Sequence, residues 1–134
     1  MKKLLIIPML FACYLCIGQT DSASIIGKSF RLGNLVVAQK DFPKEMLWED
    51  AKKACEALGN GWRLPTKDEQ KILYKNRENV GFTPIKANGD GWGVYWSSTE
   101  GDYSGEKWMI FIGEGIQQSW YKGSKTYVRA VRSL

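Results

Sequence analysis

The sequence predicts an α+β domain in which a strand pair and two helices precede a small antiparallel sheet. Apolar residues recur every three or four positions over residues 48–58, which is the spacing of an amphipathic helix. After residue 93, four short runs rich in β-branched and aromatic residues are separated by glycines, which is typical of strands and turns. Because helices and strands are segregated along the chain, α+β is favoured over an alternating α/β fold. A length of 134 residues suits one such domain.

The first eighteen residues are expected to be a signal peptide. Lys2 and Lys3 precede the apolar run of residues 4–17, which is too short to span a bilayer comfortably. Cleavage after Gly18 fits the preference for small residues at such sites. Residues 10–13 (LFAC) also resemble a lipobox, which would make Cys13 a lipidated N-terminus and a membrane anchor. Export without lipidation is favoured because the apolar run continues past Cys13.

This interpretation divides the chain into a signal peptide (1–18), a short linker (19–26) and one domain (27–134). Removing residues 1–18 takes away two lysines and no acidic residue, so 17 basic and 14 acidic residues remain, a net charge of +3. That charge is too small to indicate a nucleic-acid partner. Cys55 is then the sole cysteine, and the absence of histidine excludes a Cys/His catalytic pair.

Residues 27–38 predict a hairpin around a Gly-Asn turn, and residues 48–58 predict a helix that ends at Gly59. A second helix is expected over residues 66–77. Thr66 and Glu69 have the spacing of a capping box, in which each side chain bonds the other residue's backbone N–H. The connecting stretch NGWRLPT (60–66) therefore predicts a turn, two core side chains and a helix start.

Four strand-like runs follow a glycine-rich loop, at residues 94–99, 107–112, 116–121 and 126–132. The last three follow one another through short turns, which favours an antiparallel meander. Trp96 is predicted to be buried, and so is Trp108 because of its apolar neighbours.

Three blocks carry a resemblance to a known family: WEDAKKACEALGNGWRLPTKDE, YWSSTE and the terminal YVRAVRSL. They resemble a bacterial family of exported modules that includes the C-terminal domain of the Legionella collagen-like adhesin and is similar to the Fibrobacter major paralogous domain. The resemblance implies a C-type-lectin-like fold of the formylglycine-generating-enzyme type. Such a fold has two helices packed on a small twisted antiparallel sheet, with its N- and C-terminal strands paired. It also implies that ligands bind on the late strands and their loops, here residues 95–121.

A catalytic role is disfavoured, because the enzymes that share the fold hold copper with two late cysteines and this chain has none after Cys55. No cofactor is predicted. Asn88, Asp90 and Glu100 could supply oxygens to calcium, but Asn88–Asp90 is explained equally well as a turn. The sugar- and calcium-binding triplets of C-type lectins are absent.

The arginines Arg63 and Arg129 are interpreted as structural, each paired with Glu69 or Glu100, because a semi-buried guanidinium needs a carboxylate partner. The residues assigned a structural role are Trp62, Arg63, Thr66, Glu69, Trp96, Glu100 and Arg129.

Function is expected on the late strands, where neither face of residues 116–121 is cleanly apolar and aromatics stand beside amides and lysines. The predicted ligand-binding residues are Tyr103, Lys107, Gln117, Trp120, Tyr121 and Lys122. The sequence thus predicts an exported, non-enzymatic module that recognises a glycan or a surface protein. The alternatives are an enzyme of the formylglycine-generating type and an envelope structural or interaction protein with no small ligand.

Overall fold

The computed structural model describes residues 22–82 and 93–134, and the elements below belong to those residues. The helices are α1 (Ser22–Ile26), α2 (Trp48–Ala57), α3 (Lys67–Lys75) and α4 (Arg77–Val80). The strands are β1 (Phe30–Leu32), β2 (Leu35–Val37), β3 (Met46–Leu47), β4 (Val94–Glu100), β5 (Glu106–Phe111), β6 (Ile116–Tyr121), β7 (Lys125–Thr126) and β8 (Val131–Ser133). Among these residues, no helix is long and apolar enough to cross a membrane.

The strands form three small antiparallel sheets, with orders β1-β2-β8, β3-β7 and β4-β5-β6. The predicted hairpin is β1-β2, whose register places Phe30 opposite Val37. The early strand β2 pairs in turn with the last strand β8, with Val36 opposite Arg132. This pairing of N- and C-terminal strands is the one that the family resemblance implied.

The predicted meander is wrong in its last member. The meander is β4-β5-β6, whereas the final run divides into β7, which pairs with β3, and β8, which pairs with β2. Between these two strands, Val128, Arg129 and Ala130 are buried, and the backbone of this segment hydrogen-bonds to both β4 and the segment after β2. Tyr127 N–H donates to the carbonyl of Val94, and the carbonyl of Ala130 accepts from Ala38 N–H. This segment therefore passes through the centre of the fold, and it does not extend the meander as an outer strand.

The packed domain also begins earlier than residue 27. Residues 22–26, predicted to be linker, form helix α1, whose Ile25 is only 4% exposed and lies in the hydrophobic core. The backbone of this helix bonds to the segment after β2, since Gln39 N–H donates to the carbonyl of Ile26. The predicted linker is therefore partly core structure.

The two predicted helices are confirmed. Helix α2 buries Trp48, Ala51 and Cys55 along one stripe. Helix α3 begins with the predicted capping box, in which Thr66 Oγ1 accepts from Glu69 N–H at 3.1 Å and Glu69 Oε1 accepts from Thr66 N–H at 2.9 Å. Between the helices the backbone turns through three consecutive residues with positive φ, at residues 59–61. Two of the three are glycines, which adopt that conformation without steric cost.

Two hydrophobic clusters lie on opposite faces of the β4-β5-β6 sheet. The first contains Trp62, Leu64 and the fully buried Trp96 together with the apolar stripe of α2. The second contains Tyr95, Ile110 and Leu73 of α3. Trp62 and Trp96 thus have the structural role that the sequence assigned to them. No residue of β6 belongs to either cluster, so this strand forms part of the surface.

Candidate functional site

The cross-strand register of the β4-β5-β6 sheet determines which late side chains share a face. Lys107 is opposite Glu100 on β4 and opposite Trp120 on β6. Residues directly opposite one another in an antiparallel sheet project from the same face. Glu100, Lys107 and Trp120 therefore form one row across three strands. We call this row, with the adjoining Lys122 and Glu49, the Trp120 face.

Trp120 is the aromatic member of this face and is half-exposed, with 47% of its surface accessible. Its indole Nε1–H donates a hydrogen bond to Ser124 Oγ at 3.0 Å. Because the indole N–H is bonded at one edge, the ring is held in place while its surface stays open to solvent. A restrained aromatic ring loses little conformational entropy when it binds a ligand.

Lys107 is placed below this surface and not on it, since it is only 7% exposed. Its ammonium pairs with Glu100 and lies 3.9 Å from the centroid of the Trp48 ring, a cation–π contact. The indole N–H of Trp48 donates to the carbonyl of Ser97 at 2.8 Å, which fixes that ring under Lys107. Lys107 thus supports the Trp120 face and presents Glu100 to solvent.

The charged groups that border Trp120 are Glu100, Lys122 and Glu49. The hydrogen bond from Lys107, and then the charges of Lys107 and Lys122, lower the pKa of Glu100, whose side chain is 79% exposed. Lys122 Nζ lies 3.2 Å from Glu49 Oε1 at the start of α2. The backbone joins the same elements, because Trp48 N–H donates to the carbonyl of Lys122. The face therefore offers carboxylate acceptors and an ammonium donor around one indole ring.

Tyr121 does not share this face. Tyr121 is opposite Glu106 in the register, so its side chain projects from the other face of the sheet. Its ring, 65% exposed, covers Gly123, where an added Cβ would stand only 2.2 Å from the ring. Tyr103 lies in the β4–β5 turn and is 74% exposed. The structure thus separates Tyr121 from Trp120 and places Tyr103 in the turn that precedes β5.

Gln117 joins β6 to helix α3. Its Nε2 donates to the carbonyl of Lys67 at 2.7 Å and to Gln70 Oε1 at 3.2 Å. Gln70 is fully buried and donates to the carbonyl of Tyr95 at 2.9 Å. The amide of Gln117 is therefore already used in holding the helix on the sheet.

Trp108 is not the core residue that the sequence predicted. Its side chain lies on the same face as Ser119 and is only partly buried. The ammonium of Lys67 lies 3.3 Å from its ring centroid. Successive residues of a strand project from opposite faces, so the apolar residues next to Trp108 in the sequence do not show whether its own side chain is buried.

The two arginines assigned a structural role have different partners. Arg63 forms a bidentate pair with Glu69, one of its two predicted partners, at 2.7 Å and 3.0 Å. Burial alone would raise the pKa of Glu69, but the hydrogen bonds from Arg63 and Thr66 outweigh it and lower that pKa. Arg129 pairs with Asp41 at 2.7 Å, so the prediction of Glu69 or Glu100 as its partner is wrong. Glu100 instead pairs with Lys107.

Other reactive groups are placed away from this surface. Burial, and then the neighbouring Glu56, raise the pKa of the Cys55 thiol to about 12. Within residues 22–82 and 93–134, no three carboxylate or thiol side chains gather as a metal-binding group. Asn88 and Asp90, the calcium-ligand candidates, lie outside the described residues.

Sequence reasoning missed the support of the Trp120 face, namely Trp48, Glu49 and Ser124. The spacing of residues 48–58 predicts Trp48 in the apolar stripe of α2, which the structure shows, but the same ring also makes a cation–π contact with Lys107.

The structure also contains a groove of about 470 Å³ between β1, β8 and α3 that the sequence does not predict. The residues that line it are Leu32, Asn34, Leu35, Glu69, Ile72, Ser133 and Leu134.

Comparison with known proteins agrees with this architecture. The sequence pattern of the Lcl C-terminal domain family matches residues 22–132. No curated protein matches the chain significantly. The crystal structure of botrocetin is similar with a TM-score of 0.56 at 10% identity, covering 81% of this chain and 98% of that one. A complex of botrocetin with a mutant von Willebrand factor A1 domain gives a TM-score of 0.48 at 12% identity, with the same coverage. The likeness to botrocetin confirms the predicted C-type-lectin-like fold.

Proposed function

The chain belongs to the Lcl C-terminal domain family, and from this premise we propose that it is an exported, non-enzymatic binding module. The proposed ligand is a glycan of the cell surface or the extracellular space, held on the Trp120 face. A protein ligand on the same face is the alternative outcome. Export is supported by the signal-peptide pattern of residues 1–18, which lie outside the described structure.

The observation that carries the proposal is the row Glu100–Lys107–Trp120. Sugar rings present an apolar C–H face and a rim of hydroxyls, so they fit a flat indole that is bordered by charged hydrogen-bonding groups. Trp120 supplies the open ring, while Glu100 accepts from hydroxyls and Lys122 donates to them. Hydrogen bonds to charged groups are about twice as strong as those between neutral groups.

The protonation chemistry of this face supports binding over catalysis. A general acid or base works best when its pKa lies near the working pH. Lys107 lowers the pKa of Glu100 instead, which keeps the carboxylate ionised and moves it away from that range. The ammonium of Lys107 is committed to Glu100 and to the Trp48 ring. Cys55, with a pKa of about 12, is not a nucleophile at neutral pH.

The experiment is a glycan-array screen followed by affinity measurement on the best hit. Trp120→Ala is expected to weaken binding about tenfold or more, which corresponds to ~1.4 kcal/mol of binding free energy. Ser124→Ala, which releases the indole N–H, is expected to weaken it by a smaller factor. Tyr121→Ala is the matched control, because it removes an exposed aromatic of the same strand from the opposite face.

Each variant is first compared with the wild type by circular dichroism to show that it is folded. Glycan binding that Trp120→Ala leaves unchanged would contradict the assignment of the face. If the screen finds no glycan but the domain binds an extracellular protein, the ligand of the Trp120 face is a protein and not a glycan. Repeating the screen with calcium and with a chelator tests whether Asn88, Asp90 and Glu100 contribute a cation site.

A further inference from the structure

Strand β6 is the outer strand of its sheet, and only β5 pairs with it among the described strands. The other outer strand, β4, is covered: Trp96 N–H donates to the carbonyl of Tyr127, and Ser98 N–H donates to the carbonyl of Pro65. The two edges of one sheet therefore differ, and β6 carries the open one.

The register shows which backbone groups of β6 face outward. Lys122 N–H donates to the carbonyl of Gly105, which marks positions 122 and 105 as a hydrogen-bonded pair. Hydrogen-bonded and non-bonded pairs alternate along an antiparallel ladder. Trp120 and Gln118 therefore bond to β5, whereas Gln117, Ser119 and Tyr121 direct their N–H and C=O groups away from it. Of these outward groups, the carbonyl of Tyr121 already accepts from Ser124 N–H at 3.1 Å.

This edge has none of the features that prevent strands from pairing. Natural edge strands are blunted by lysine, proline, bulges or short length. Strand β6 has six residues, IQQSWY, without charge, proline or glycine, and its register with β5 is continuous. Four of the six residues are exposed. Such a strand is suited to accept another strand.

We infer that β6 pairs antiparallel with β6 of a second copy of this chain, which makes a two-fold symmetric dimer. Opposing strands must match outward-facing groups with outward-facing groups. The register centred on these residues places Ser119 opposite itself and Gln117 opposite Tyr121, where the Tyr121 N–H donates to the Gln117 carbonyl of the second copy. Since β6 is uncharged, no like charges meet within the paired strands. An amide then lies opposite an aromatic ring on each face of the sheet: Gln117 opposite Tyr121 on one face, and Gln118 opposite Trp120 on the other.

The dimer has a consequence for the Trp120 face. A two-fold axis perpendicular to the sheet places both copies of Trp120 on the same side. With ~4.8 Å between strands and ~3.4 Å per residue, the two Cα atoms are about 8 Å apart. The pairing therefore joins two such faces into one surface, which suits an extended ligand. The pairing itself does not depend on what the face binds.

The test is a cysteine placed on the two-fold axis. In the full chain with Cys13→Ser and Cys16→Ser, Ser119→Cys is expected to form an intermolecular disulfide under mild oxidation. Residues of a hydrogen-bonded antiparallel pair have Cα atoms about 5.5 Å apart, which is within the disulfide range. Ser98→Cys is the matched control, because Ser98 is an exposed serine on the covered edge strand β4. It is expected to stay monomeric, whereas non-specific aggregation would cross-link both variants.

Ser119 also bonds to Asp102 N–H and Glu106, so the substitution can perturb the fold. The wild-type oligomeric state therefore provides an independent measurement, by light scattering at concentrations up to about 100 µM. A dimer that dissociates on dilution is the expected result. A monomer throughout this range, or equal cross-linking of the Ser98→Cys control, would overturn the proposal. If Trp120→Ala loses glycan binding but still forms the dimer, pairing through β6 is independent of glycan binding on the Trp120 face.

Discussion

Arg129 donates its Nε–H to Oδ1 of Asp41 at 2.7 Å, and the two side chains are only 1% and 4% exposed. Three of the four other guanidinium N–H groups donate to the carbonyls of Ala38, Val80 and Gly81. The other carboxylate oxygen of Asp41 accepts from the hydroxyl of Tyr95. This single ion pair thus joins the C-terminal segment to the segment after β2, the end of α4 and strand β4.

Replacing Arg129 with Met is expected to lower the free energy of unfolding by about 3–5 kcal/mol, because it removes the guanidinium that pairs with the buried Asp41 carboxylate. Urea denaturation at neutral pH measures the change. Arg31→Met is the matched control, since Arg31 is exposed on β1, and its expected effect is within ~0.5 kcal/mol. Equal stability of Arg129→Met and the wild type would show that the pair has no structural role.

Glu69→Gln is expected to destabilise the protein at neutral pH by about 1–3 kcal/mol, because it removes the charge that accepts two hydrogen bonds from Arg63. The folded pKa of Glu69 is lowered, so its contribution is fully present above the unfolded pKa of ~4.3 and is lost as the pH falls through the folded value.

The difference in unfolding free energy between wild type and Glu69→Gln should therefore shrink towards zero as the pH is lowered below about 4. Urea denaturation series from neutral to acidic pH measure this difference. Glu78→Gln, at an exposed position, is the control. A Glu69→Gln difference that stays constant with pH would contradict the assignment of the stabilising charge to Glu69.

Gln117→Ala is expected to lower stability by about 1–2 kcal/mol, because it removes the donor to Lys67 and leaves the buried Gln70 oxygen without that hydrogen bond. Gln118→Ala removes the same amide from the next residue of β6, which is exposed on the opposite face, and should change stability little. Thermal denaturation of the two variants makes the comparison. Equal effects would show that the contact with α3 contributes nothing.

Cys55 is expected to resist alkylation in the folded protein. Its thiol is fully buried, and burial raises its pKa to about 12, so little thiolate is present at neutral pH. Iodoacetamide labelling followed by peptide mass spectrometry should find the Cys55 peptide unmodified in native buffer and modified in strong denaturant. Rapid labelling under native conditions would show that α2 opens locally.

Local signals in the sequence predicted most of the secondary structure. Helix α3 and its cap follow from Thr66 and Glu69, because a capping box is a contact between residues three positions apart. The β1-β2 hairpin follows from its Gly-Asn turn for a similar reason. The division of residues 126–132 into β7 and β8 could not be predicted, because it depends on pairing with residues about 80 to 100 positions away.

The sequence predicts which segment of the chain contains the candidate site, but it does not predict how the side chains of that segment are arranged. Trp120 and Lys122 were identified from their residue types, and the structure places them on one charged, half-exposed face. Lys107 and Gln117 belong to the same region, but their polar groups are occupied by Glu100 and by helix α3. Residue type alone does not show whether a polar group is already bonded within the fold.

The α+β class, the two helices and the family follow from the sequence, because each depends on short-range spacing or on a contiguous motif. For Arg63 the sequence left two candidate partners, Glu69 and Glu100. The three-dimensional fold was needed to establish that Arg129 pairs with Asp41, that Trp48 makes a cation–π contact with Lys107, and that Trp120 and Tyr121 lie on opposite faces of an outer strand. Long-range partners are selected by three-dimensional packing, in which several carboxylates or rings of the same type compete for one group. The spacing of residues along the chain cannot distinguish among such competitors.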